Sequence, residues 1–399
     1  MRALFAVPDY RRLWFTGAAV GMARWLEFLA LGVFAYEVTG SPQLVALVAI
    51  VRMVPYMLLG FMVGALADYL DRRRMLMISY FVASMATAVM ALIAAAGLAG
   101  YGVVLVSAVI AGLLWTTDMP LRRQLMMDAA GPERITAASS FDSSTMFTMR
   151  ALGPLLGGLV YQWTGITGIF GLSMVVYFIC FVLSASLELP GREARPSSTA
   201  TRPSPFAMLI PPPELLRSKP LLIVLGITVV FNIWCFPVIS MVPVIGEREF
   251  ALSPVGIGAL SASEGIGGTI GAIVIGMLAG QRSLFRLYYF GTLGFVALLL
   301  LMSAWMTLSV AAFGLLLIGV ASACFAASQY ALVYTMAPPA MRGRATGFLA
   351  VFIGTSTIGF YNTGFLFDRF ETVDALRIMA LQGLLPLLIL GGLWLRVKR

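Results

Sequence analysis

Seven charged residues interrupt long apolar stretches of the chain, and their side chains are the ones best placed to do chemistry. They are Arg24, Glu27, Arg52, Asp118, Asp142, Arg150 and Glu264. An ionised side chain at the centre of a lipid bilayer costs at least ~2.5–3.5 kcal/mol, so such residues usually mark substrate pathways or proton relays. If the stretches cross a membrane, the acidic side chains can carry protons while the arginines balance their charge.

Glu27, Asp142 and Glu264 are the candidates for proton coupling. Arg24 and Glu27 are three residues apart and therefore share one face of a helix. One interpretation is a self-neutralising pair that only helps the segment to insert. The other is that Glu27 lines a cavity, takes up a proton on one side of the membrane and releases it on the other. Asp142 and Arg150, eight residues apart, also share a helical face.

The two halves of the chain are weakly related in sequence. An offset of 212 residues aligns Ser41-Pro42 with Ser253-Pro254 and places Arg52 opposite Glu264. A salt bridge between these two residues and separate pairing within each half are equally open interpretations. The glycines that follow at 265, 267, 268 and 271 indicate close helix packing. Internal duplication of this kind is typical of transporters, which bind substrate between their repeats.

The composition requires a membrane protein, because 60% of the 399 residues are hydrophobic and only 11% are charged. Twelve apolar runs approach the length of a transmembrane helix, and the alternating pattern of a β-barrel is absent. We therefore predict an all-α membrane protein with twelve transmembrane helices in two pseudo-symmetric six-helix halves. The runs lie at 13–37, 42–67, 75–98, 102–119, 138–162, 166–187, 220–246, 254–280, 285–305, 308–336, 345–367 and 375–395.

The basic residues predict the orientation. Most of the 27 Lys and Arg residues fall in alternate loops, which the positive-inside rule assigns to the cytoplasm together with both termini. The longest polar stretch, at 188–219, predicts a cytoplasmic linker between an N-terminal half at 1–187 and a C-terminal half at 220–399. The predicted location is the inner membrane of a bacterium.

Several functions lack their usual residues. The chain contains no histidine, no phosphate-binding loop and no paired cysteine motif, so a metal site, direct ATP drive and an enzyme are not expected. The net charge of +9 is explained by topology, so nucleic acid is not expected as a partner. The expected partners are a small-molecule substrate and the lipid bilayer, with the chain acting as a monomer.

Three motifs resemble those of the major facilitator superfamily. Residues 64–74 read Gly-Ala-Leu-Ala-Asp-Tyr-Leu-Asp-Arg-Arg-Arg, similar to the superfamily's loop motif except at Tyr69 and Asp71. Residues 153–158 read Gly-Pro-Leu-Leu-Gly-Gly, similar to a motif of its exporters, and Arg-Gly-Arg at 342–344 is also typical. The proline of the exporter motif either bends the helix for packing or helps to block proton leak. The sequence most resembles the drug and siderophore exporter branch, which holds enterobactin exporters and macrolide efflux proteins.

The resemblance implies a cytoplasmic gate and a substrate cavity. In the gate, Asp68 would cap the eleventh helix, while Arg72 or a neighbour would pair with Asp118 or Asp128. The basic residues at 72–74 could instead serve topology alone. Aromatic and polar residues of the spans that usually line the cavity are substrate candidates, although aromatic side chains also face lipid. These candidates are Trp25, Trp115, Asn232, Trp234, Gln329, Tyr330 and Asn362.

The function expected from the resemblance is secondary active transport driven by a proton gradient, without a cofactor. The leading hypothesis is an antiporter that exports amphiphilic or drug-like molecules by rocking of its two halves. A siderophore or lipid-like substrate is the alternative within this class. A membrane enzyme or a non-transporting sensor is the alternative outside it.

Overall fold

The computed structural model describes residues 2–66, 70–188, 217–278, 284–337, 345, 349 and 351–397 of the chain. Within these ranges every regular element is a helix, and ten helices are long and apolar enough to cross a membrane. The chain is therefore an all-α membrane protein, as the apolar runs predict. Asp68, the Arg-Gly-Arg motif at 342–344 and most of the predicted linker lie outside the described residues.

The helices follow the apolar runs closely. Those of the N-terminal part are α1 (Pro8–Thr39), α2 (Pro42–Leu66), α3 (Arg72–Ala95), α4 (Tyr101–Ala130) and α5 (Ile135–Ala185). Those of the C-terminal part are α6 (Lys219–Val230), α7 (Val242–Phe250), α8 (Pro254–Leu278), α9 (Leu284–Ala304), α10 (Leu308–Met336), α11 (Ser356–Arg369) and α12 (Thr372–Val397). A π-helix over Phe231–Cys235 and a 3-10 helix over Phe236–Met241 connect α6 to α7.

The described helices do not determine the number of membrane spans. α5 holds two predicted spans, 138–162 and 166–187, and Gly165 between them has non-helical angles (φ 62°, ψ −162°). The predicted eleventh span at 345–367 falls partly outside the described residues. Twelve spans therefore stays a prediction.

The chain forms two compact units, one of residues 1–39 with 51–202 and the other of residues 40–50 with 203–399. The predicted halves at 1–187 and 220–399 and their linker stay predictions. In the first unit α5 packs against α1 and α3, and α4 packs against the same two helices. Their shared core includes the fully buried side chains of Tyr10, Leu13, Tyr80 and Leu121.

In the second unit α10 packs against α8 and α9, while α12 packs against α6 and α9. Gly319 of α10 lies against the backbone of Glu264 in α8, and Gly267 of α8 lies against the carbonyl oxygen of Leu316. A side chain at either glycine would collide with backbone atoms, so α8 and α10 pack closely here, as predicted for Gly267; Gly319 was not among the predicted glycines. The start of α2 also belongs to this unit, where Ser41 Oγ donates to Asp368 Oδ1 at 3.0 Å.

Asp71, which departs from the loop motif, has a structural role at the start of α3. It is the N-cap residue of this helix, and its Oδ1 accepts hydrogen bonds from the backbone N–H groups of Arg73 (2.9 Å) and Arg74 (3.4 Å). These donors have no partner within the helix itself, so a capping carboxylate satisfies them. Asp71 therefore fixes the point at which the loop ends.

Removal of this cap is expected to loosen the start of α3. Asp71→Ala should destabilise the protein by about 0.5–2 kcal/mol, because two backbone donors lose their acceptor. The apparent melting temperature of the purified protein measures the effect. Asp71→Asn is the control, since asparagine caps helices about as well as aspartate. Equal losses in both variants would show that charge, and not capping, is the contribution of Asp71.

Candidate transport site

Asp118 of α4 lies at the centre of a buried charge network in the first unit. Its Oδ2 is 2.9 Å from Arg24 Nη2 of α1, and its Oδ1 is 3.3 Å from Arg122 Nε. The hydroxyl group of Tyr80 in α3 donates to Oδ1 at 2.5 Å. All four residues are at least nine-tenths buried. One carboxylate thus joins three helices, and its burial is compensated by two arginines and a hydroxyl donor.

Arg122 extends the network to a second carboxylate. Its Nη1 donates to Asp142 Oδ1 of α5 at 2.9 Å, and the neighbouring Arg123 donates from Nε to Asp142 Oδ2 at 2.9 Å. Asp142 is almost fully buried, whereas the side chain of Arg123 is 37% exposed. The network therefore leads from Arg24 in the interior to Arg123 at the surface of the unit.

Glu27 is bound differently from the two aspartates. Its Oε1 accepts a hydrogen bond from Tyr177 of α5 at 2.9 Å, and its carboxyl group is buried. Arg24 lies three residues earlier on α1, and Arg52 binds the backbone oxygen of Arg24. Among the described residues no Lys or Arg nitrogen lies within ion-pair distance of Glu27. Glu27 thus lies near positive charge without a direct ion pair.

Arg52 of α2 contacts α1 close to Glu27. The side chain is 1% exposed, and its Nη2 donates to the backbone oxygen of Arg24 at 2.9 Å. Its Nε and Nη1 have no hydrogen-bond partner within the described part of the chain. Glu264, its sequence counterpart, lies buried on α8 in the second unit. Pairing between Arg52 and Glu264 stays a prediction.

The formal charges of the most buried ionisable residues on α1, α2, α4 and α5 cancel. Three arginines and three acidic residues in these helices are at most 7% exposed, namely Arg24, Arg52, Arg122, Glu27, Asp118 and Asp142. Asp9, at the start of α1, is 8% exposed and pairs with the partly exposed Arg12. A buried charge is tolerated where an opposite charge and hydrogen bonds compensate its lost hydration. The neutral total explains how one unit can hold so many ionised groups within apolar helices.

Two of the aromatic residues predicted to line the substrate cavity lie against arginines that were predicted as charge partners. The Arg24 guanidinium carbon is 4.8 Å from the ring centre of Trp115, and that of Arg150 is 4.7 Å from the ring centre of Trp25. These distances suit cation–π interactions, which gain strength where water is excluded. Trp25, Trp115 and Arg150 therefore border the charged interior of the first unit.

Glycines on α1 and α5 let the helices approach each other beside these charges. Gly17 of α1 lies against the guanidinium group of Arg122, where a side chain would collide with it. In the exporter-like motif, a methyl group on Gly153 would lie 2.6 Å from Cβ of Trp25. One on Gly157 would lie 2.9 Å from the carbonyl oxygen of Leu26. The motif therefore packs α5 against the part of α1 that carries Arg24 and Glu27.

Two of the five substrate candidates in the second unit share one polar partner. Trp234 Nε1 and Asn362 Nδ2 both donate to Oε1 of Gln382 in α12, at 3.1 and 3.0 Å. Asn232 is buried in the π-helix, where its amide donates to the backbone oxygen of Thr228 at 2.9 Å. The remaining two candidates are a buried glutamine, Gln329, and a half-exposed tyrosine, Tyr330.

The gate residues that the structure describes lie in two places. Arg72 Nη1 is 3.5 Å from Asp128 Oδ2, a partly exposed pair at the ends of α3 and α4. Asp118, the alternative partner, lies deeper in α4 with Arg24 and Arg122. The role of Asp68 stays a prediction.

Sequence reasoning missed five residues of these clusters. Tyr80 and Tyr177 donate to the buried carboxylates, Arg122 joins Asp118 to Asp142, Arg123 binds Asp142, and Gln382 joins two substrate candidates. A tyrosine hydroxyl within an apolar run requires a polar partner, which is a usable signal. Arg122 and Arg123 follow the predicted fourth span, where basic residues indicate only the orientation of the chain in the membrane. Gln382 carried no local signal.

Comparisons with known proteins agree with this architecture. Residues 13–361 match the Major Facilitator Superfamily. The staphyloferrin A transporter of Staphylococcus aureus is 23% identical over 280 residues, which are 70% of this chain and 70% of that protein. The enterobactin exporter EntS of Shigella boydii is 28% identical over 354 residues, covering 82% of this chain and 79% of EntS.

Solved structures share the fold at low sequence identity. The peptide transporter POT superposes with a TM-score of 0.77 at 14% identity, covering 97% of this chain and 94% of POT. The nucleoside transporter NupG gives 0.76 at 13% identity, covering 96% of this chain and 99% of NupG. These likenesses concern the fold alone. The match over 13–361 shows that the chain belongs to the Major Facilitator Superfamily of transporters, in agreement with its apolar helices.

Proposed function

We propose that this transporter exports an amphiphilic or drug-like small molecule in exchange for protons, with Glu27 as the proton-binding group. It would act as a monomer in the bacterial inner membrane, by alternating access of its two predicted halves and without a cofactor. The observation that carries the proposal is the state of Glu27. Its carboxyl group is buried, accepts a hydrogen bond from Tyr177 and forms no ion pair among the described residues, while Arg52 binds the backbone of α1 three residues away, at Arg24.

Reversible protonation suits Glu27 better than Asp142. Asp142 is bound by both Arg122 and Arg123 at 2.9 Å. A proton on Asp142 would remove the negative charge that pairs with both guanidinium groups, and breaking a buried ion pair in this way is strongly unfavourable. A proton on Glu27 breaks no ion pair, and Tyr177 can still donate to the second lone pair of the carbonyl oxygen. Protonation of Glu264 remains open.

Protonation of Glu27 would also change the buried charge of the first unit. With Glu27 neutral, the three arginines of this group of six residues face only Asp118 and Asp142, which leaves the group with one net positive charge. An unbalanced charge is costly in a medium of low dielectric constant. A conformation that lets water or substrate reach the arginines would therefore gain population when the proton binds. Differential proton affinity of two conformations is the requirement for coupling.

Glu27→Gln is expected to abolish the response of transport to a pH gradient. Glutamine keeps the size and an acceptor for Tyr177 but cannot release a proton. In proteoliposomes loaded with a fluorescent amphiphilic dye, the gradient-driven transport rate should fall on the order of tenfold or more. A side chain that transfers a proton typically contributes a rate factor of that size or larger. Exchange of dye for dye without a gradient should persist, which separates coupling from folding.

Glu37→Gln is the matched control. Glu37 lies on the same helix and also accepts a hydrogen bond from a tyrosine, Tyr161, but its position near the end of α1 is exposed. The control should respond to the gradient like the unchanged protein. Gradient-driven transport that survives Glu27→Gln would exclude Glu27 as the coupling group.

Siderophores are the second candidate substrates. Two curated relatives of this chain are named a staphyloferrin A transporter and an enterobactin exporter. In the same proteoliposomes, staphyloferrin A and enterobactin should each be added as a competitor of the dye. Inhibition of dye transport, followed by direct transport of the competing compound, would assign this narrower class. Dye transport unaffected by either compound would leave the broader amphiphilic class.

A further inference from the structure

An open pocket of about 350 Å³ lies where α3 begins and α4 ends in the first unit. It is lined by Arg72, the first residue of α3, and by Arg123, Gln124, Met127 and Asp128 from the last two turns of α4. These helix ends are at the predicted cytoplasmic surface of the membrane, where phospholipid phosphate groups also lie. The location makes the pocket reachable both from the lipid headgroups and from the solution.

The lining is suited to an anion. Two guanidinium groups and one carboxylate give it one net positive charge. Among the contacts of Arg72, the pair with Asp128 is weak, because it is 3.5 Å long and the Asp128 side chain is 43% exposed. Guanidinium groups present paired N–H donors that match the oxygen atoms of a phosphate group.

Arg123 connects this pocket to the buried charge network. Its Nε donates to Asp142 at 2.9 Å, while the side chain is 37% exposed. An arginine carries five N–H donors, so the groups at its far end remain able to bind a second anion while Nε holds Asp142. Met127 adds an apolar wall beside the charged groups. A ligand with a phosphate group next to a hydrocarbon portion would match this combination.

We propose that the pocket binds a phosphate-bearing anion through Arg72 and Arg123, and that Arg123 holds this anion and Asp142 at the same time. The ligand is either the headgroup of an anionic phospholipid or a soluble phosphate compound, since both present the same phosphate oxygens. The site is separate from Glu27 and does not depend on the direction or substrate of transport. Its occupancy would add a negative charge to the outer end of the buried network.

Native mass spectrometry of the full-length protein in detergent can test this with two probes, phosphatidylglycerol and inorganic phosphate. Gln124→Glu should weaken binding about tenfold, because it places a second carboxylate in the pocket without removing an existing contact. Asp128→Asn should strengthen binding by a similar factor, because it removes the competing charge. Arg74→Gln is the control, since the Arg74 side chain is 81% exposed and does not line the pocket.

The two probes distinguish the sources of the phosphate. Retention of phosphatidylglycerol in excess inorganic phosphate, with phosphatidylcholine failing to bind, would identify a lipid site. Displacement of phosphatidylglycerol by inorganic phosphate would identify a site that accepts soluble phosphate. Either result supports the proposal if the two pocket variants shift binding in opposite directions. Binding that ignores both variants, or equal binding of phosphatidylcholine and phosphatidylglycerol, would overturn it.

Discussion

Replacement of Arg122 by methionine is expected to destabilise the protein by about 3–5 kcal/mol, the usual cost of removing one partner from a buried ion pair. Arg122 is 1% exposed and contacts both buried aspartates, Asp118 at 3.3 Å and Asp142 at 2.9 Å. Methionine fills a similar volume but supplies no charge and no donor. Asp118 would keep Arg24 and Asp142 would keep Arg123, yet together they would retain an excess of buried negative charge.

The apparent melting temperature of the purified protein measures this loss, and two further variants separate its causes. Arg123→Met removes a pair from the same carboxylate, but this arginine is 37% exposed, so its loss should be the smaller one. Asp142→Leu combined with Arg122→Met removes both charges and should recover part of the stability, since apolar replacement of a whole buried pair is often tolerated. Equal melting temperatures for Arg122→Met and Arg123→Met would contradict the role given to burial.

The helices were predictable because lipid requires nearly every residue of a membrane span to be apolar. The run at 75–98 predicts α3, which the structure places at Arg72–Ala95, and the run at 308–336 agrees with α10 at both ends. The start of α3 lies three residues earlier than predicted because the Asp71 side chain caps the helix, a local hydrogen bond that hydropathy does not register. The break at Gly165 was visible only as a gap between two runs.

The candidate site was predictable in most of its buried charges but not in its hydroxyl donors or its pairing. Burial of charge singled out Arg24, Glu27 and Asp118 from the sequence, because ionised groups are rare in apolar helices. Their spacing then placed Arg24 and Glu27 on one face of a helix, where one interpretation was a self-neutralising pair. In the structure Arg24 binds Asp118, which is 94 residues away, while Glu27 accepts from Tyr177, 150 residues away. Such contacts depend on which helices are neighbours, and spacing along one helix carries no information about that.

Substitution of Gly112 is expected to disturb the site through the backbone of Arg52. A methyl group at this position of α4 would collide with the carbonyl oxygen of Arg52 and would lie 3.1 Å from Cγ of Pro55. Backbone atoms cannot move aside as a flexible side chain can, so α2 and α4 must separate. Gly112→Ala should therefore cost about 1–3 kcal/mol, the range observed when a packed interior is overfilled.

Gly102 on the same helix provides the matched control, because a methyl group built there has no neighbour within 4 Å. Gly102→Ala should leave the melting temperature unchanged or raise it slightly, since alanine favours a helix over glycine by roughly 0.5–1 kcal/mol. The displaced backbone in Gly112→Ala should also shift the Arg52 side chain. This side chain donates to the backbone oxygen of Arg24, three residues before Glu27 on α1. Gradient-driven dye transport should then fall in Gly112→Ala and persist in Gly102→Ala. A loss of stability in Gly112→Ala with full gradient-driven transport would show that the position of Arg52 does not govern the proton on Glu27.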